Sequence, residues 1–510
     1  MATAEFATAE MSGSQCCNLG DHDQRCRIVI IGGGSAAFAA ATAAAPFAAS
    51  VKIVNEGLPM GGTCVNVGCV PSKFLIQAAH ISSPYNSSPP YHGFSNISER
   101  VTDFAALTTQ NRQLVEDLRE KKYANVIAGF DNIEYVQGLG RILIKGDFFS
   151  VAVDCDPTKE TPYRELLADR VILATGVHTS LPKQLLPGLE EVPFLTNETA
   201  YFEPILPKSL IVLGGGYVAV EAAQMFARLG SRVTILQRSS HVLSGAGEDI
   251  GLALTGYLQE EGIEVVLGLD ILSATLDDGE VMVTAKPPSG KLQTFKASKI
   301  FIATGRSAKT ENVSDVPLRL SDSPHGGFVV SETLQTSISG VYAAGDCVAG
   351  SPQYVYTAAA EGKLAALNAL ASFNGQKETP IDYSVVPWVV FSSPAVAGVG
   401  LDVHEARAKG IEADASIVPL SLLPRAIVQQ ETRGFVALIR NKQDDTIIGA
   451  RILAEEGGEL VMEASLCVQH KIRAQELAGM YHPYLTWNEA WKLAALGFAK
   501  DVNQLSCCAT

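Results

Sequence analysis

Two stretches of the chain repeat one pattern. At RIVIIGGGSAAFAAATAAA, residues 27–45, a β-branched run enters three glycines and continues as an alanine-rich helical pattern. VKIVNE follows and predicts a second strand ending at Glu56, which completes a βαβ unit. SLIVLGGGYVAVEAAQMFARLGSRVTILQR, residues 209–238, repeats the plan of strand, glycine turn, helix and strand. Short apolar runs, VILATG at 171–176 and KIFIATGR at 299–306, follow the two copies and predict crossovers linking two nucleotide domains. A further strand is expected at GVYAAGD, 340–346. From about Tyr383 the chain changes to strands such as VVPWVVF and GFVALIR, then helices.

The expected fold is therefore α/β, with two Rossmann-like dinucleotide-binding domains and an α+β C-terminal domain. The expected boundaries are a tail at 1–26, the first nucleotide domain at 27–176 and 301–380, and the second at 177–300. The third domain is expected at 381–510.

The glycine turns carry chemistry. Gly32, Gly34 and Ala37 have the spacing G-x-G-x-x-A. The first glycine makes the tight turn and the second lets backbone approach a pyrophosphate. The small third residue lets the helix pack on the strand, while the helix N-terminus attracts phosphate. Glu56 closes the second strand, where a carboxylate accepts hydrogen bonds from a ribose diol. The second turn has Gly214, Gly216 and Ala219, but its second strand ends in Gln237 and Arg238. An acid there would repel a 2′-phosphate, whereas arginine pairs with it. FAD is expected at the first site and NADPH at the second.

Composition narrows the partners. The chain has 510 residues and a net charge of -15, so it repels nucleic acid and anionic membrane, and neither is expected as a partner. Ten cysteines are too sparse for a secreted disulfide scaffold. A cytoplasmic setting is expected, and in it a disulfide is a catalytic device.

Two cysteine pairs then stand out. GGTCVNVGCVPSK, residues 61–73, holds Cys64 and Cys69, and the chain finishes LSCCAT with Cys507 and Cys508 adjacent. Metal sites space close cysteines by two to four residues and add a second pair or histidines, which this segment lacks. Five apart at a helix start, Cys64 and Cys69 reach disulfide distance if the first turn is distorted, and a helix N-terminus favours a thiolate. Lys73 follows Cys69 by four, on the same helical face. The alternative is two inert buried thiols.

GGTCVNVGCVPSK resembles the active site of the pyridine nucleotide–disulfide oxidoreductases. The two glycine turns, the two ATG strands and AAGD stand in family order over residues 27–510. The resemblance implies FAD, NADPH and a homodimer with the active site shared across the interface. It makes Cys69 the flavin-facing thiolate and Cys64 the exchanging thiol. It further implies an ion pair of Lys73 with Glu221, an aromatic gate at Tyr217, and Asp346 against the ribityl–phosphate region. By the same resemblance Gly62, Thr63, Gly140, Thr175 and Gly176 belong to the nucleotide sites, as do Val355 and Gly305.

Disulfide-reducing members carry a His-Pro with the histidine five residues before a glutamate. In YHPYLTWNEA, 481–490, that position before Glu489 is Tyr484, and His482 is seven before. A phenol is a poor proton shuttle at neutral pH. PYLT with KDVNQLSCC, and VYTAAAEG with Tyr356, resemble the mercuric reductase branch of the family. The substrate this implies is Hg(II) presented as thiol adducts, with Cys64, Cys69, Cys507 and Cys508 as ligands, since soft metals prefer thiolates. Cys16 and Cys17 read as part of an unstructured tail, with a second mercury-collecting arm as the sharper alternative. Cys26, Cys155, Cys347 and Cys467 read as structural. Two rivals remain: a disulfide reductase of the lipoamide dehydrogenase or glutathione reductase type, and a non-catalytic Hg(II)-sequestering protein.

Overall fold

A computed structural model describes residues 25–82, 102–145, 148–154, 164–182 and 186–504. Cys16, Cys17, Cys155, Cys507 and Cys508, and nearly all of the expected N-terminal tail, lie outside the described residues.

Both βαβ units form where the glycine pattern placed them. In the first, strand β1 (Arg27–Ile31) leads through Gly32–Gly34 into helix α1 (Ser35–Ala44), and strand β2 (Ser50–Asn55) returns parallel to β1. The strand stops at Asn55, one residue before Glu56, because Gly57 takes a positive φ and turns the chain. A five-stranded parallel sheet results, ordered Val341–Ala343, Arg170–Leu173, β1, β2, Ile133–Gln137. Alanines of α1 lie buried against helix Val355–Phe373 on one face. An antiparallel layer of Leu139–Lys145, Phe148–Asp154 and Arg164–Ala168 covers the other.

The second unit repeats this build. Strand β3 (Ser209–Leu213), helix Tyr217–Leu229 and strand β4 (Arg232–Leu236) sit in a parallel sheet completed by Glu264–Val266, Lys299–Ile302 and Phe194–Leu195. An antiparallel layer of Asp270–Asp277, Glu280–Lys286 and Gln293–Ala297 again backs it. The C-terminal part is a five-stranded antiparallel sheet with helices Gly457–Gln469 and Glu489–Leu496 packed on it. One hydrophobic core joins Leu75 and Ala79, Phe226 of the second unit, and Val390 and Leu453 of the C-terminal sheet. That shared core holds the site between three bodies. Among the described residues no helix is long and apolar enough to cross a membrane.

Candidate active site

The first glycine turn ends against its own sheet. Gly32 has φ +126° and a Cβ there would stand 2.0 Å from the carbonyl oxygen of Ala174, so only glycine fits. Gly34 is bare on its outer side: a Cβ would meet only Gly62 Cα, at 3.9 Å. Gly62 itself approaches so closely that its own Cβ would stand 2.7 Å from Gly34 Cα. The turn therefore opens as a backbone cradle at the N-terminus of α1. Ala37 is fully buried and does the packing work expected of it.

A cavity of about 450 Å³ runs from this cradle past Glu56, Gly140 and Thr175. Its walls Gly34, Thr63 and Gly176 also belong to a second cavity of about 190 Å³ that holds Cys64, Cys69, Lys73, Glu221, Asp346 and Val355. The resulting trough has the Glu56 carboxylate at one end, bare helix-terminal amides in the middle and two thiols at the other. It fits an extended dinucleotide such as FAD.

Gly214 and Gly216 make the same turn in the second unit, with Gly214 at φ +117° and Ala219 fully buried. Strand register makes positions in the two units equivalent: Val54 lies opposite Ile31 as Leu236 lies opposite Leu213. Asn55 and Gln237 are therefore equivalent, and Arg238 stands where the first unit has Glu56. The side chains of Asn55 and Gln237 lie under the middle glycines, Gly33 and Gly215, where a Cβ would come within 2.4 and 2.9 Å of them. Gln237 thus supports the turn, and Arg238 is exposed beside it. A cavity of about 710 Å³ lined by Gly216, Tyr217 and Gly305 meets the cysteine cavity at Val218, Arg306 and Asp346. A nicotinamide nucleotide laid along it would reach the flavin end of the trough.

The two cysteines occupy two helices rather than one helix start. Cys64 lies in α2 (Gly62–Val67) and Cys69 opens α3 (Cys69–Ser82). Gly68 makes the break, with φ -127° and ψ -113°, and its Cβ would stand 2.8 Å from the carbonyl oxygen of Thr63. The break brings the thiols together, and they hydrogen-bond each other. That bond from Cys64 lowers the Cys69 thiol to about 7, against burial, with Lys73 assisting. Cys64 moves the other way: its bond to Cys69, burial and the neighbouring charge hold its proton.

Lys73 Nζ lies 2.6 Å from Glu221 Oε2, and Glu221 is buried. The other carboxylate oxygen accepts from the Phe391 amide at 2.9 Å, and the ammonium sits 4.7 Å over the Phe391 ring. The C-terminal body therefore fixes the pair. Tyr217 begins its helix and is 42% exposed. Tyr356 donates to the Pro387 carbonyl. Tyr484 is 53% exposed and does not line the cysteine cavity of its own chain. His482 is held by Glu463 at 2.8 Å.

Three contributors were not singled out by the sequence. Arg306 lies 3.6 Å from Asp346 and faces the junction of the cavities. Tyr201 is buried and lines the cysteine cavity. Tyr354 stacks on Tyr356, with ring centroids 5.3 Å apart. Only Arg306 had a signal, as the residue after Gly305 in KIFIATGR. Cys26, Cys347 and Cys467 are buried in cores, where burial pushes their thiols up.

Comparison with known proteins agrees with this geometry. Residues 26–362 match the family model described as pyridine nucleotide-disulphide oxidoreductase, and 386–495 match that family's dimerisation domain. A mercuric reductase of Staphylococcus aureus is 37% identical over 492 residues, covering 96% of this chain and 85% of the relative. One from Streptomyces lividans is 38% identical over 482 residues, 94% of this chain and 98% of the relative. Among solved structures, LpdA from Mycobacterium tuberculosis superposes with a TM-score of 0.78 at 25% identity, covering 92% of this chain and 99% of that one. The Cu(II) complex of the HOCl-induced flavoprotein disulfide reductase RclA from Escherichia coli gives 0.77 at 25% identity, covering 93% and 100%.

Proposed function

The chain belongs to the pyridine nucleotide-disulphide oxidoreductase family, and is an oxidoreductase using FAD and a nicotinamide nucleotide; from that premise we propose that it reduces Hg(II) to Hg(0) with NADPH. The observation that carries the reading is the Cys64–Cys69 pair, set in one cavity with Lys73 and Glu221, together with a tyrosine, Tyr484, five residues before Glu489, where disulfide-reducing members carry a histidine. Disulfide reduction needs an acid for the leaving thiol. Tyr484 stands where that acid would be, and His482 is tied to Glu463. A soft metal ion needs thiolates and no acid.

FAD, when bound, supplies a two-electron relay between NADPH and the thiol end of the trough. The residues of this chain do the rest. Gly32, Gly34 and the start of α1 hold the pyrophosphate, Glu56 the ribose, and Asp346 the ribityl–phosphate region. Arg238 takes the 2′-phosphate of NADPH, and Tyr217 gates the nicotinamide. Cys64, assisted by Lys73 that Glu221 braces, keeps Cys69 anionic.

Mercury enters by thiolate exchange. Cys507 and Cys508 of the partner subunit take Hg(II) from small thiols and pass it to Cys64 and Cys69. In each transfer one S–Hg bond forms as another breaks, and the displaced sulfur leaves as thiolate. NADPH gives up two electrons and becomes NADP⁺ with release of a proton. Hg(II) takes the electrons, both S–Hg bonds break, and Hg(0) departs from two free thiolates. Tyr356 and Tyr484 flank the ion. The enzyme works as a cytoplasmic homodimer.

The test is NADPH oxidation by the purified FAD-loaded enzyme in excess thiol, before and after HgCl2. Mercury-dependent loss of NADPH with release of mercury vapour is expected. Stoichiometric mercury binding without NADPH loss would favour sequestration. Turnover of lipoamide or another small disulfide, with no response to mercury, would favour a disulfide reductase.

A further inference from the structure

Tyr201 has no part in the mechanism above. It closes the short helix Asn197–Ala200, and its ring is packed into the core that joins the three bodies, 3% exposed. Its backbone is tied to the cysteine helix α3: the fully buried Asn111 side chain donates to the Tyr201 carbonyl at 3.4 Å and to the Pro71 carbonyl at 3.1 Å. Tyr201 thereby stands in the wall of the cavity that holds Cys64, Cys69, Lys73 and Glu221. Other polar side chains of that wall are engaged with protein. Lys73 pairs with Glu221, Ser72 donates to the Cys69 carbonyl, and Asn197 accepts from Thr179 and donates to the Val67 carbonyl. The Tyr201 hydroxyl has no such bond among the described residues. Burial pushes the phenol well above its usual range, so it keeps its proton at every working pH. Buried hydroxyls are hydrogen-bonded as a rule, and the partner this wall leaves for Tyr201 is whatever fills the cavity.

We propose that Tyr201 is a flavin-binding residue: from the wall of the cysteine cavity its phenol donates a hydrogen bond to the isoalloxazine ring of bound FAD. The inference rests on the reading of the trough as the FAD site and adds to it a donor that neither the glycine turns nor the cysteine motif supplies. A ring that gains electron density on reduction accepts such a bond more strongly. Tyr201 therefore favours reduced over oxidised flavin and eases electron uptake from the nicotinamide.

The test prepares wild type, Y201F and G34V as apoproteins, titrates each with FAD by flavin fluorescence, and takes the midpoint potential of the loaded enzymes. Phenylalanine keeps the ring in the core and removes only the hydroxyl. Apo Y201F should unfold at the wild-type temperature or above, because the hydroxyl has no protein partner to lose. Its FAD dissociation constant should rise about two- to tenfold, the effect of one hydrogen bond. Its midpoint potential should fall by about 10–30 mV, the equivalent of a two- to tenfold difference between the two redox states. A Y201F enzyme with wild-type FAD affinity or wild-type potential would overturn the inference. So would an apoprotein destabilised by the same factor as FAD binding, since the hydroxyl would then serve the fold. Gly34→Val separates this inference from the trough reading. A Cβ at Gly34 meets only Gly62 Cα, at 3.9 Å, so the valine is accommodated and fills the cradle. G34V should lose FAD binding; if it takes up FAD like wild type, the trough reading falls and the Tyr201 inference with it.

Discussion

At the residue scale the site turns on Gly68 and the charges around Cys69. Gly68→Ala should destabilise the fold by about 1–3 kcal/mol, the range for overpacking, because the new methyl strikes the Thr63 carbonyl. Denaturant unfolding checks it. In the reduced enzyme, iodoacetamide should alkylate Cys69 with a pH midpoint near 7, slowing below it as the thiolate is protonated. Cys64→Ala removes the hydrogen bond and should move that midpoint up; Lys73→Met should do the same. Glu221→Gln should move it down, because the carboxylate charge opposes the thiolate. A Lys73→Met enzyme with an unmoved midpoint would remove the ammonium from this account. The thiols, Lys73 and Glu221 were legible because short motifs carry them. The break at Gly68 was legible only as a required distortion. Tyr201 was not legible, since a tyrosine brought to the cysteines from a separate segment leaves no local pattern.

At the element scale the bodies are tied by buried charge. Arg228, on the Tyr217–Leu229 helix, pairs with Glu261 at 2.6 Å, and both side chains are almost wholly buried. Arg433 of the C-terminal body reaches the same carboxylate at 3.4 Å. Arg228→Leu should cost about 3 kcal/mol, the low end for breaking a buried pair, because Arg433 remains to share the charge. Thermal unfolding at constant pH measures it; a loss no larger than that of an exposed pair would show that Glu261 is satisfied without Arg228. His482 and Glu463 form a second pair, inside the C-terminal body. Their pairing raises the histidine and, with Asn488, lowers the carboxyl despite burial. A raised histidine stabilises fully below its unfolded value and loses that contribution as pH climbs through the folded one. The stability lost in His482→Asn should therefore be greatest below the usual histidine value of about 6.5 and shrink as pH rises above it. The βαβ units were legible because strand, turn and helix are consecutive. The antiparallel layers behind both sheets were not, because strands such as Asp270–Asp277 are half exposed and alternate weakly.

At the scale of the whole molecule, each site is expected to draw its tail from the other subunit. Mixing a Cys69→Ser protomer with a Cys507→Ser/Cys508→Ser protomer tests this. Random pairing makes half the molecules mixed, and each has one complete site if the tail acts across the interface, giving roughly a quarter of wild-type activity. A tail that serves its own subunit gives none. The succession of two βαβ units and a C-terminal sheet was legible because each carries its own punctuation. The shared core under Leu75, Phe226 and Leu453 was not, because it forms only when three bodies meet. One helix draws these levels together. Tyr217 and Glu221 stand four residues apart in the first turns of the same helix, on one face. On the function proposed above, one end of this turn faces the incoming nucleotide and the other, through Lys73, stands beside the sulfur, so a single turn of backbone spans the distance from electron donor to thiolate.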